Sequence, residues 1–292
     1  RPMSDLAFPS PEQLQLALAQ ALPAFRQVTW CEQTDSTNAD LLNQARTTQH
    51  TLSRPWLHGA HFQRAGRGRS GRTWQNRVGA NLMFSCAYDV FISARQLPAL
   101  SPLAGIAVAE ALRKNLAPSN RHRLTLKWPN DIWWDQAKLA GILTEATRAG
   151  TAKRSEDHHV VIVGIGLNIE DARALSQSLN RAVADWSEIR TQDNQAQKTG
   201  IEALVTDIAQ NWLNIFNDVT RNGFETLPER YANVDALLGQ HIDVIHNDRL
   251  LHAGIAKGIN IMGQLLVHGP NGETPLSLGE ISIRPRGASN QA

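Results

Sequence analysis

The sequence predicts an α+β chain in which short strands form a sheet, helices pack on it, and a small antiparallel barrel lies at the C-terminal end. Three observations carry this. Strand-like runs cluster between residues 81 and 169, two segments follow a 3.6-residue apolar period, and past about Leu237 the pattern changes to short strands alone.

Taken in order, Thr34-Asp35-Ser36-Thr37-Asn38 is a helix-start signature ahead of Ala39-Asp40-Leu41-Leu42, and by itself could be plain capping. Asn81-Leu82-Met83-Phe84-Ser85-Cys86 reads as a strand. Ser101-Pro102 suits an N-cap and first turn for a helix carrying Leu103, Ile106, Val108, Leu112 and Leu116. Leu124-Thr125-Leu126-Lys127-Trp128 alternates like a half-buried strand stopped by Pro129. Ile132-Trp133-Trp134 and Leu139-Ala140-Gly141-Ile142-Leu143 follow as two more strands, joined through Asp135 to Lys138. His159 to Ile169 reads as a buried strand whose Gly164 and Gly166 mark close approach by a ligand or another backbone. Residues 148–158 suggest a surface loop, and residues 173–200, rich in Asn, Gln and Ser, a flexible stretch of weak helical content. Ile201, Leu204, Val205, Ile208, Trp212, Ile215 and Val219 stripe a second helix ending at Gly223. The C-terminal strands are expected at 240–245, 250–254, 264–268 and 280–283, divided by Asn247-Asp248, Gly263 and Asn271-Gly272.

Between Asp40 and Asp89 there is no acidic side chain, yet there are seven arginines: Arg46, Arg54, Arg64, Arg67, Arg69, Arg72 and Arg77. The net charge is only +2, so the basicity is local. The run Gln63-Arg64-Ala65-Gly66-Arg67-Gly68-Arg69-Ser70-Gly71-Arg72 combines glycines, which let backbone N–H groups face a ligand, with guanidinium forks that fit carboxylate or phosphate. It reads as a mobile loop closing over an anion. Gly66-x-Gly68-x-x-Gly71 also satisfies a dinucleotide fingerprint, but no helix opens from it, and the Gly-Lys-Ser/Thr of a phosphate loop is absent. A nucleic-acid binder is the competing class. A net charge of +2 supplies little of the broad phosphate attraction such proteins use.

Seven ordered blocks resemble the biotin protein ligases: Asp35-Ser36-Thr37-Asn38; Gln63 to Arg72; Gly79-Ala80-Asn81-Leu82; Lys127-Trp128-Pro129-Asn130-Asp131; Lys138-Leu139-Ala140-Gly141-Ile142-Leu143; Gly164-Ile165-Gly166-Leu167-Asn168; and Gly279-Glu280-Ile281-Ser282. Lipoate ligases are more distant in fold. The resemblance implies a mixed β-sheet catalytic domain of the biotin/lipoate ligase type with helices packed on it, residues 1–236, and a C-terminal SH3-like β-barrel, residues 237–292. It implies that biotin is activated by ATP as biotinoyl-5'-AMP, with Mg2+ on the nucleotide phosphates, and passed to a lysine of the biotin carboxyl carrier protein of acetyl-CoA carboxylase. Lys138, Arg69 and Asp131 are the implied catalytic residues. Lys138 would bridge biotin carboxylate and α-phosphate; Asp131 would polarise the amine or bind magnesium through water, and no metal ligand is assigned. Ser36, Thr37, Asn38, Gln63, Arg67, Gly68, Gly141, Gly164 and Gly166 are expected around biotin, the last two leaving room for its ureido ring. Arg72, Trp74, Asn81, Lys127, Asn130 and Asn168, with Arg67 and Arg69, are expected around ATP, Trp74 and Asn81 near the adenine.

Many bacterial relatives carry an N-terminal helix-turn-helix domain. Here about 30 residues precede the first block, so the expectation is a monofunctional ligase without specific DNA binding, a monomer or weak homodimer. No apolar run reaches the ~18 residues of a membrane span. Arg1-Pro2-Met3-Ser4-Asp5 has no apolar signal core, and a native start is expected near Met3. Cys31 and Cys86 have no metal-ligand spacing and are expected to be reduced thiols in the cytoplasm, and His158-His159 suggests a strand edge.

Overall fold

The computed structural model describes residues 6–47, 53–151, 155–277 and 282–285. A helix α1 (Pro11–Ala21), capped by a Ser10/Gln13 box, precedes strand β1 (Gln27–Thr34). Helix α2 (Thr37–Thr47) then leads to β2 (Trp56–Gln63), which pairs parallel with β1. The remaining strands of this sheet pair antiparallel: β3 (Asn81–Phe91), β4 (Leu124–Lys127), β5 (Asp131–Trp134), β6 (Ala137–Thr147) and β7 (His158–Asn168). The order is β1-β2-β3-β7-β6-β5-β4, so the last strand of this sheet in sequence, β7, lies at its middle.

Period-two alternation decides which face is core. Leu82, Phe84, Cys86 and Tyr88 of β3 and Val161, Val163, Ile165 and Leu167 of β7 face the main core. Helix α3 (Leu100–Lys114) and helix α6 (Ile201–Asn222) cover that side. Trp212 Nε1 donates to Ala104 O at 3.1 Å and Tyr88 OH to Ala209 O at 2.8 Å, so the large rings are buried with their polar ends satisfied. Each such side chain contributes about 1.5–3 kcal/mol by leaving water. The opposite face is covered over part of its length by α2, whose Leu41, Leu42 and Ala45 pack with Trp56, Ala87, Val160 and Ile162. Beyond the N-terminus of α2 that face stays open.

The stripe on α6 and its stop at Gly223, which has φ 77°, agree with the sequence expectation. Other expectations need correction. Ser101 is not an N-cap: α3 begins at Leu100, continuing from a 3₁₀ turn (Ala94–Ala99) capped by a Ser93/Gln96 box. Residues 173–200 hold more helix than the weak helical content expected of them. Helices α4 (Ala172–Leu179) and α5 (Trp186–Gln192) form there, Trp186 and Ile189 are buried, and Asp193 accepts from the N–H groups of Ala117, Gln195 and Ala196. By contrast, His158 and His159 open β7 at the strand edge expected of them; both are buried, and His158 Nε2 is 2.7 Å from Asp89 Oδ1. Both cysteines are free, and no helix among the described residues is long and apolar enough to cross a membrane.

After helix α7 (Leu227–Ala232) come β8 (His241–His246), β9 (Arg249–Ile259), β10 (Leu265–Gly269), β11 (Gly272–Leu276) and β12 (Ser282–Pro285). They form an antiparallel sheet ordered β11-β10-β9-β8-β12, consistent with the SH3-like expectation. The block at Gly279, Glu280 and Ile281 lies outside the described residues. Ile242, Val244, Ala256, Ile259, Leu265 and Val267 join the same continuous core as the larger sheet.

Asp235 occupies the link between the two sheets. Burial pushes its carboxyl up to about 6 from 3.8, against the lowering effect of hydrogen bonds such as that from Leu237 N at 2.8 Å. The folded state therefore holds this proton longer than the unfolded chain does. Its contribution to stability is full below about pH 4 and declines as pH rises to about 6, a loss of about 2–3 kcal/mol. Asp235→Asn should raise the thermal midpoint at neutral pH and flatten its decline between those values. A variant no more stable than the parent at neutral pH would show that this charge is not a burden.

Candidate active site

The open face of the large sheet forms the floor of a pocket of about 240 Å³. Register places Met83, Gly166 and Gly141 in one row across β3, β7 and β6, and Ser85, Gly164 and Leu143 in the next. Gly164 and Gly166, two residues apart, therefore share one face. A Cβ at Gly164 would lie 2.1 Å from Asn38 Oδ1, and one at Gly166 2.4 Å from the Trp74 indole. The room that the sequence reading reserved at these glycines for a ring is thus occupied by Asn38 and Trp74. The indole lies against Gly141 and Gly166 on the floor.

One end of the pocket is a neutral hydrogen-bond network. Ser36 Oγ accepts from Ala39 N at 3.3 Å and caps α2. Gln63 Oε1 accepts from Thr37 N at 2.8 Å and Thr37 Oγ1 at 3.0 Å, and the Thr37 and Ser85 hydroxyls lie 2.7 Å apart. Ser85 Oγ donates to Asn38 Oδ1 at 2.5 Å, and Asn38 Nδ2 donates to Glu145 Oε1 at 3.1 Å. Ser36, Thr37, Asn38, Gln63 and Ser85 are all buried. The network fixes several donors and acceptors in a space with little water, which suits a compact neutral heterocycle.

The other end is cationic. The arginine loop, expected to be mobile, is here a folded hairpin: Gly68 N donates to Arg72 O at 2.7 Å, Trp74 N to Gly66 O at 2.8 Å, and a tight turn spans Arg69–Gly71. Asn76 ties its return to Gln63 through Gln63 N and O at 3.0 and 2.8 Å. Arg67, Arg69, Arg72, Lys127, Lys138 and Arg181 line the pocket, against Asp131 as the single carboxylate among the described lining residues. Lys138 Nζ lies 3.1 Å from Asp131 Oδ1 and 5.7 Å from the Trp74 ring centroid. Burial lowers the Arg69 pKa, with Asp131 opposing and Arg72 reinforcing that shift, so these three charges sense one another. A pocket with six cations and one carboxylate is built for a strongly anionic ligand.

The sequence-predicted residues separate into two groups. Ser36, Thr37, Asn38, Gln63, Arg67, Gly68, Arg69, Arg72, Trp74, Lys127, Asn130, Asp131, Lys138, Gly141, Gly164 and Gly166 all line the pocket. Asn81 and Asn168 do not. Asn81 lines a neighbouring cleft with Arg77, Glu170 and Asp171, while its Nδ2 donates to Asn168 Oδ1 at 3.2 Å. Asn168 is buried and donates to Ala184 O at 3.2 Å, holding residues 182–184 beside Lys138. Asn130 uses its amide on Ile142 O at 2.5 Å and pins the Lys127–Asp131 turn. Sequence reasoning missed Ser85, Arg181 and Glu145. Ser85 had a signal, a small hydroxyl in an otherwise apolar strand, but Arg181 fell in a segment read as flexible. No group of three or more His, Cys, Asp or Glu side chains able to hold a metal occurs among the described residues. A magnesium ion would therefore have Asp131 as its carboxylate in the pocket and bind chiefly through phosphate oxygens.

A ligase-type sheet with a polar recess and a cationic loop defines the class, and comparison with known proteins agrees. The family model described as biotin/lipoate A/B protein ligase matches residues 30–168. The biotin--[acetyl-CoA-carboxylase] ligase of Paracoccus denitrificans is 30% identical over 85% of this chain and 97% of its own length. The chain belongs to the biotin/lipoate protein ligase family. The bifunctional ligase/repressor BirA of Escherichia coli is also 30% identical, over 77% of this chain; the aligned region spans only 65% of that relative's length. In fold, the chain is similar to the biotin protein ligase from Aquifex aeolicus in complex with biotin and ATP, with a TM-score of 0.68 and 22% identity, covering 89% of this chain and 98% of that one.

Proposed function

We propose that the chain is an ATP-dependent ligase that activates biotin as biotinoyl-5'-AMP and transfers the biotinoyl group to a lysine of a biotin carboxyl carrier protein. The observation that carries this is one pocket whose lining combines buried, paired hydrogen-bond groups, Thr37, Gln63 and Ser85 among them, with six cations that include Lys138. Relatives named as biotin ligases support the choice of biotin. In the first step a biotin carboxylate oxygen attacks the α-phosphorus and pyrophosphate leaves. Two anions must approach, so cations where they meet lower the barrier. Lys138 is our candidate for that role, with Arg67, Arg69, Arg72 and Lys127 as candidates for the phosphates. In the second step the lysine amine attacks the acyl carbon, loses a proton, and AMP leaves. Asp131, already paired with Lys138, can polarise the amine once the phosphates have claimed the lysine.

Trp74 and Asn81 remain our candidates for the adenine end, with Asn168 behind Asn81. We place the boundary between the catalytic and SH3-like units at 236/237. A cytoplasmic enzyme, acting as a monomer or weak homodimer and without specific DNA, completes the reading. The purified chain should exchange labelled pyrophosphate into ATP only when biotin is present, and should label a carrier domain. Exchange supported by lipoate or octanoate but not biotin would overturn the substrate assignment.

A further inference from the structure

We propose that Glu145 is a positioning residue that tethers the arginine loop to the recess, an inference that rests on the ligase reading for its consequence. Glu145 lies on β6 one row beyond Leu143, on the pocket face, where its partner across β7 is Ile162. One oxygen, Oε1, accepts both from Arg67 Nη2 at 3.0 Å and from Asn38 Nδ2 at 3.1 Å. The same carboxylate therefore joins the hairpin carrying Arg67, Arg69 and Arg72 to the Asn38–Ser85–Thr37–Gln63 network. The ion pair is half-exposed, with side-chain exposures of 41% for Arg67 and 26% for Glu145. A pair so placed is weak enough to exchange when a ligand anion reaches Arg67, yet it keeps the hairpin down beforehand. Asn38 Nδ2 also donates to Leu143 O at 3.3 Å, so Glu145 and the β6 backbone together hold its amide.

Two substitutions separate the halves of this role. Glu145→Gln keeps an amide oxygen for Asn38 and removes the charge facing Arg67; Glu145→Ala removes both. In the ligand-free protein, trypsin should cut the Arg64–Arg77 hairpin faster in Glu145→Gln than in the parent. Release of biotinoyl-AMP should accelerate by about 1.5-fold to fivefold, the scale of one exposed ion pair. Glu145→Ala should add a weaker affinity for biotin. Equal trypsin cleavage together with parental adenylate release in Glu145→Gln would overturn the tether. The proteolysis arm needs no activity, so a parent chain that shows no biotin-dependent exchange would sink the ligase reading and leave the tether to be judged by cleavage alone.

Discussion

Lys138→Ala should slow formation of biotinoyl-AMP by at least about a hundredfold, the usual scale for removing one electrostatic stabiliser of developing charge. Lys138 Nζ sits between Asp131 Oδ1, at 3.1 Å, and the Trp74 ring, on the strand whose Gly141 forms the floor. Its interaction should be strongest when carboxylate and α-phosphate are closest, so the loss falls on chemistry more than on binding. The substitution also removes the 3.1 Å partner of Asp131, leaving Arg69 as the cation that interacts with it. Biotin affinity should change by less than about fivefold, because Ser36, Thr37 and Gln63 stand at the other end of the pocket. Single-turnover measurement decides the matter. A fall of less than about threefold, far below the expected scale, would leave Lys138 as a structural ion-pair partner of Asp131 on β6.

Gly164→Ala should raise the KM for biotin by about tenfold or more while saturating biotin restores most of kcat. The added Cβ would meet Asn38 Oδ1 at 2.1 Å and Ser85 Oγ at 2.8 Å. Neither atom belongs to a freely swinging chain end: Asn38 is held by Ser85, Leu143 O and Glu145, and Ser85 by Thr37. The network must shift as a unit, and overpacking of this kind costs about 1–3 kcal/mol. Thermal unfolding beside the kinetics distinguishes a displaced recess from a damaged sheet. An unchanged KM in a folded variant would remove the recess from biotin binding.

The legible parts of this chain were those where local chemistry and global fold agree. Leu124 to Trp128 alternates and meets Pro129, so β4 is visible. The stripe from Ile201 to Val219 leaves no alternative to a helix. Strands β1 and β2 were not readable as a pair, because Trp56-Leu-His-Gly-Ala-His-Phe-Gln mixes histidines and a glycine into an apolar run, and a parallel pairing across α2 leaves no turn signature. Strand β11 was hidden by Pro275, which is tolerated because the strand lies at the edge of its sheet. The helices at 172–192 were hidden by their polar residues, and only the burial of Trp186 and Ile189 reveals them. For the site, motif blocks identified most pocket residues, because their chemistry is concentrated in short segments. Glu145 could not be found that way. Its importance comes from two contacts, to residues 78 and 107 positions away, that only the folded sheet creates.

Trp128 Nε1 donates to Gly263 O at 3.0 Å, from the pocket wall into the turn between β9 and β10. That turn is closed on itself by Asn260 and Gln264 and packs on Ala99 and Pro102 at the start of α3. The small sheet is thus a buttress for the Lys127–Asp131 turn and not a tethered appendage. In protein engineering this sets where the chain tolerates surgery. A split enzyme cut near residue 237 would lose the indole's acceptor, and its halves would have to regain it on reassembly. Cargo is better inserted at the β8–β9 tip around Asn247-Asp248, where Leu250 and Leu251 already face solvent and which contributes none of the described pocket-lining residues.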